Sequence, residues 1–111
     1  MKNKDFIYNF CKRNFDENKV YRCNNLTFKD GRLFSYKTCI AEYEADYTNS
    51  VIINMTKYSS TTSRHQNLMM QYFNAYRHCL SWIVYDDVPI NTINLSRYDY
   101  DKMRERQSKS S

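Results

Sequence analysis

Ser59, Ser60, Thr61, Thr62 and Ser63 form an unbroken run of hydroxyls, preceded by Lys57 and Tyr58 and followed by Arg64, His65 and Gln66. A strand that feeds such a run into a helix aims several backbone N–H groups at one spot, where the helix dipole favours negative charge. The chemistry this predicts is anion binding. A phosphate of DNA or RNA, or an acidic side chain of a protein, would be held by Lys57, Tyr58, Ser60, Thr61, Thr62 and Arg64. The competing use of the same hydroxyls is to satisfy the donors of the turn and of the helix end.

Other reactive residue types do not assemble into a catalytic set. His65 stands four residues before Met69 and seven before Tyr72, which turns it toward the buried side of a helix and predicts a bond to a backbone carbonyl. His78 falls on the polar face beside Asn74, with no carboxylate at ligand spacing. A chain with one glycine offers no glycine-rich phosphate loop, and no Ser-His-Asp or paired-carboxylate pattern emerges. Asp86 and Asp87 could meet Glu42 or Glu44 at a metal, but adjacent acids before Val88-Pro89 read as solvated. Cys11, Cys23, Cys39 and Cys79 lie 12, 16 and 40 residues apart, which fits neither zinc spacing nor a disulfide scaffold. Free thiols are expected, with Cys11 and Cys79 acting as small hydrophobes. The reading is thus a protein with no catalytic residue, no cofactor and no metal; a small nuclease using His65 and Tyr58 is the enzymatic alternative.

The elements that would position the hydroxyl run follow from periodicity. Leu68, Met69, Tyr72, Phe73, Tyr76, Cys79 and Leu80 make one broad stripe at helical spacing, with Asn67, Gln71, Asn74 and His78 opposite. Ser63 and Gln66 have the spacing of a capping box that would start this helix. A first helix is predicted from Asn3 or Asp5, burying Phe6, Ile7, Phe10 and Cys11 and ending near 14–18. Val20 to Cys23 is a short strand. Asp30-Gly31 between Leu26-Thr27-Phe28 and Leu33-Phe34-Ser35-Tyr36 predicts a type I′ hairpin. A second hairpin joins Thr38–Ala45 to Val51–Tyr58 through Asp46–Ser50, with Cys39, Ala41 and Tyr43 alternating against Ile40 and Glu42. Trp82 is expected to close the core, Ile90, Ile93 and Leu95 to cover it irregularly, and Ser96 or Asp99 to start a short helix through Met103. The fold class is α+β: an N-terminal helix, a three- to four-stranded antiparallel sheet, a long amphipathic helix on it and an irregular C-terminal segment. A single domain spans residues 1–101, and 102–111 read as a basic, flexible tail.

Composition narrows the partners. The 111 residues carry a net charge of +5, with nine bases against four acids in residues 1–40, four acids against one base in 86–101, and four bases against one acid in the last ten. Such a distribution suits a nucleic-acid surface or an ordinary solvated exterior. Eleven tyrosines place hydroxyls where a protein or nucleic acid can meet them. No apolar run is long enough for a membrane span and no signal-peptide region precedes the first helix, so a cytoplasmic protein with no membrane contact is expected. Helix, three strands, helix is also the layout of double-stranded RNA-binding domains, but Arg64 stands alone where those domains place a basic cluster.

Thr56-Lys57-Tyr58-Ser59-Ser60-Thr61-Thr62-Ser63-Arg64-His65-Gln66 resembles a motif of small uncharacterised bacteriophage and mobile-element proteins, Thr-Lys-Tyr-Ser-x-Thr-Thr-Ser-x-His-Gln following two strands. Leu33 to Ala41 looks like the strand pair of the same family, and the resemblance spans roughly residues 31–76. It implies a phage-type origin and no established activity. The function expected is a non-catalytic interaction protein that blocks a nucleic-acid-handling host complex, an anti-defence role of the anti-CRISPR kind. Its partners would be a host protein or nucleoprotein complex, in the host cytoplasm. Direct binding of DNA or RNA is the alternative.

Overall fold

A computed structural model describes residues 1–44 and 49–109, without the side chains of 106–109. Chain order is α1 (Asn3–Cys11), β1 (Tyr21–Cys23), β2 (Leu26–Lys29), β3 (Arg32–Ser35), β4 (Thr38–Tyr43), β5 (Ser50–Asn54), α2 (Ser60–Ala75), β6 (Ser81–Tyr85) and α3 (Leu95–Lys109). The fold is α+β as predicted, but the sheet has six strands in the order β1-β2-β3-β4-β5-β6 rather than three or four. It is also mixed: the first four pairings are antiparallel, and β6 joins β5 in parallel after the α2 crossover. Parallel neighbours need a long connection, and α2 supplies it.

Local chemistry explains the meander. Asp30 and Gly31 have φ of 53° and 76°, the positive values that a two-residue type I′ turn demands. Asn24 at φ 54° turns β1 into β2, using the tolerance of asparagine for this region in a chain with one glycine. At the end of α1, Arg13 at φ 58° takes the left-handed position past the cap Lys12 and stops the helix earlier than predicted. Lys2 occupies the N-cap position of α1 with no side-chain bond, so neither Asn3 nor Asp5 caps it.

The central strands are covered on both sides. On one face Phe6, Ile7 and Phe10 of α1 and Met69, Tyr72 and Phe73 of α2 pack with Leu26, Phe28, Leu33, Ala41, Val51 and Ile53. On the other, Cys39 and Ile52 meet Tyr85, Val88 and Leu95. The pairing jumps from Leu33↔Ala41 to Phe34↔Cys39, leaving Ile40 as the extra residue of a β-bulge. An extra residue shifts the alternation by one place. Cys39 therefore shares the α3 face with Glu42, instead of lying with Ala41 and Tyr43 as strict alternation predicts.

Beyond the sheet, the structure corrects two further expectations, the end of α2 and the C-terminal segment. Helix α2 stops at Ala75, so Tyr76 is half exposed and Cys79 fully outside the core, while Leu68 is only partly buried. The predicted irregular segment and short helix are one helix, Leu95–Lys109, which takes in most of the predicted tail; Ser110 and Ser111 lie outside the described residues. Trp82 is half-buried, packed 5.7 Å from Phe73. The predicted strand end at Ala45 and most of the loop after it also lie outside the described residues.

Helix α3 begins where the sheet holds its N-terminus. Glu42 is 4% exposed; its Oε1 accepts from Leu95 N at 3.1 Å and from Arg32 Nε at 2.5 Å, and its Oε2 accepts from Ser96 N at 3.0 Å and from the Ser96 hydroxyl. Asn94 Oδ1 takes the Arg97 N–H at 2.8 Å. Three first-turn donors that a helix cannot satisfy internally thus have partners, one of them a buried anion at the positive end of the dipole. Glu42 is thus committed to α3, and the described residues contain no group of three or more His, Cys, Asp or Glu side chains that could hold a metal.

Candidate binding surface at the start of α2

Within the hydroxyl run Thr62 is buried, Thr61 and Ser63 are half-buried, and Ser59 and Ser60 are exposed. Helix α2 begins one turn earlier than the Ser63–Gln66 capping box requires: Ser59 is the N-cap, and its Oγ accepts from Thr62 N at 3.2 Å. Gln66 does not return to Ser63. Its Nε2 donates to Asn54 O at 2.8 Å and to Thr56 O at 2.9 Å, pinning the linker after β5 to the helix. Replacing Ser59 by Ala should therefore cost about 1 kcal/mol, whereas Ser63→Ala should change the denaturation midpoint little.

Thr62 and His65 face inward onto β3. Ser35 Oγ lies 3.0 Å from Thr62 Oγ1 and 2.8 Å from His65 Nδ1. On the other side of the ring, Asn3 Nδ2 lies 3.4 Å from His65 Nε2, while Asn3 Oδ1 accepts from Asn24 Nδ2 at 2.8 Å. This chain of partners assigns a neutral imidazole with its proton on Nδ1. His65 is 2% exposed and bonded to side chains, not to the backbone carbonyl expected. Tyr58 is likewise committed: its hydroxyl donates to Val88 O at 2.5 Å and accepts from Asn54 Nδ2 at 2.9 Å.

Burial lowers the pKa of His65 below its ordinary value near 6.5, and a proton on Nε2 would meet the Asn3 amide donor. The sign follows from linkage: the unfolded chain binds this proton more readily, so stability is complete above about pH 6.5 and falls as pH drops toward the depressed folded value. Denaturant midpoints measured between pH 7.5 and about pH 5 should decline. In His65→Gln that part of the decline should disappear.

What remains outside is cationic. Lys57, Ser60 and Arg64 are exposed and Thr61 is half-buried, whereas Thr62 is buried and Tyr58 has spent its hydroxyl. Of the six residues predicted to bind, four stay on the surface. The structure adds a second helix start. Asn3 meets His65, and Tyr8 meets Tyr72 with ring centroids 5.1 Å apart, so α1 and α2 run parallel with their N-termini at the same end. Exposed Lys2 and Lys4 flank Asn3 there, with Asp5 the acid in the first turn of α1 and none in that of α2. The sequence reading missed Lys2 and Lys4 because contacts distant in the chain, such as Asn3–His65 at 62 residues apart, bring them to this end. Ser35 left a local signal: two residues after Leu33 in a strand, it had to share the buried face.

Residues 8–85 match a family of unknown function, DUF8033. No curated protein and no solved structure matches the chain.

Proposed function

The chain belongs to this family of unknown function, and from its surface we propose that it is a non-catalytic binding protein of phage or mobile-element type that docks on a nucleic-acid-handling host complex and blocks it, in the manner of an anti-CRISPR inhibitor. The docking surface is the end of the molecule where α1 and α2 begin. The observation that carries the reading is the division within the motif: Tyr58, Thr62, His65 and Gln66 spend their polar atoms inside the fold, while Lys57, Ser60, Thr61 and Arg64 remain on the surface beside two helix N-termini. Side chains so engaged are poorly placed for acid–base chemistry. Lys57, two residues before the N-cap Ser59, stands at the positive end of α2 and is opposed by the dipole, and an anionic partner would relieve that opposition.

Direct contact with DNA or RNA is the second reading, favoured by Lys2 and Lys4 standing at the same end. Capture of a host complex by the immobilised chain, with and without nuclease, separates the two. Capture that survives nuclease and salt supports a protein surface. Binding lost on nuclease treatment, and falling steeply between about 50 and 200 mM salt, supports nucleic acid. No specific capture under either condition would overturn the proposal.

A further inference from the structure

Strand β6 is the open margin of the sheet, paired with β5 on one side only among the described residues. Its sequence, Ser81-Trp82-Ile83-Val84-Tyr85, contains no charge and no proline, two of the devices that keep sheet edges apart. The opposite margin, β1, is shorter and carries the exposed Arg22. Ile83 and Val84 are 40% and 45% exposed. They point to opposite faces, since successive strand residues alternate: Ile83 lies beside Ile52 on the α3 side and Val84 beside Ile53 on the α2 side.

The flanks of β6 carry opposite charges. Arg77 and His78 precede it, Asp86 and Asp87 follow it, and all four are exposed. Antiparallel pairing with an identical strand sets the basic flank of each copy against the acidic flank of the other, whereas parallel pairing would set acid on acid. Past the end of β6 a groove of about 580 Å³ opens toward α3, lined by Ile83, Val84, Asp86, Asp87, Asp99 and Met103 among others. Asp87 already holds Lys102 at 2.9 Å and Asp99 accepts from the Tyr85 hydroxyl, while Asp86 and Glu105 are exposed acids of its lining.

We propose that β6 pairs antiparallel with β6 of a second copy about a two-fold axis near Trp82, joining two six-stranded sheets into one. Ile83 and Val84 are then covered by the partner strand, and the Arg77–His78 flank of each copy comes level with Asp86 and Asp87 of the other. An isologous contact of this kind closes on itself and gives a dimer rather than a fibre. Five residues of strand make a small interface, so association depends on concentration.

Sedimentation of the full chain across a wide concentration range tests this. The mass should rise from 13.5 kDa toward twice that value. Ile83→Lys and Val84→Lys, both at exposed positions, should each keep the chain monomeric with an unchanged melting temperature. Arg77→Glu should weaken association about tenfold or more, and Arg77→Glu with Asp86→Arg should recover it, because the complementary pair is restored with its signs exchanged. A monomer at every concentration would overturn the proposal and leave the edge to a strand of another protein. So would a dimer that persists in both lysine variants, or a charge-exchanged double variant no stronger than the single one.

Discussion

Glu42→Ala should lower stability by about 3 to 5 kcal/mol, the range found when one member of a buried, hydrogen-bonded ion pair is removed. The loss has two sources. Arg32 keeps its charge beside the sheet without the carboxylate that held it at 2.5 Å, and the N–H groups of Leu95 and Ser96 lose their acceptors in a site that water scarcely enters. Because α3 otherwise meets the sheet through Leu95, Tyr98 and the bond from the Tyr85 hydroxyl to Asp99, the damage should appear as loss of helix signal as well as a lower denaturant midpoint. Helical content and midpoint both unchanged would mean that α3 is held by other contacts.

Phe73→Ala should cost about 4 kcal/mol, by lost transfer energy and by the cavity left behind. Phe73 is wholly buried, with Tyr72 and Trp82 packed on it at centroid distances of 6.0 and 5.7 Å. It therefore ties the crossover helix to the strand that the crossover delivers, and the parallel β5–β6 pair depends on that tie. Tyr76, which the predicted stripe put in the core, is 50% exposed, so Tyr76→Ala should cost less than about 1 kcal/mol. Chemical denaturation of the two variants side by side decides the matter, and similar losses in both would contradict the observed end of α2.

The contrast between these residues marks what the sequence could reveal. Asp30-Gly31 was legible because a type I′ turn makes a local demand on φ that few residue types meet. Leu26, Phe28 and Leu33 were legible for the same reason, a period of two between clear turn signals. The place of β6 was not, since a short apolar run after a helix carries no mark of the strand it will join or of the direction of pairing. Ile40 was illegible as a bulge: one added residue leaves composition unchanged but reverses the face of Cys39. The start of α3 depends on Glu42, 53 residues before Leu95, and a cap supplied from that distance leaves no local pattern. In the candidate site, the cations Lys57 and Arg64 could be placed on the surface from helix and linker alone. The burial of Thr62 could not, because Ser35, the residue that receives it, belongs to another strand.

The central claim is that the motif at the start of α2 is structural within and adhesive without. Its most direct test is capture of the host complex by the wild-type chain and by the Lys57→Glu/Arg64→Glu double variant, compared at equal concentration and after both are shown to melt at the same temperature. Lys57 and Arg64 are both exposed, and substitutions at such surface positions change stability little, so the variant should fold as well as the wild type while losing capture altogether. Equal capture by the two chains would contradict the claim and move the binding surface away from the helix starts.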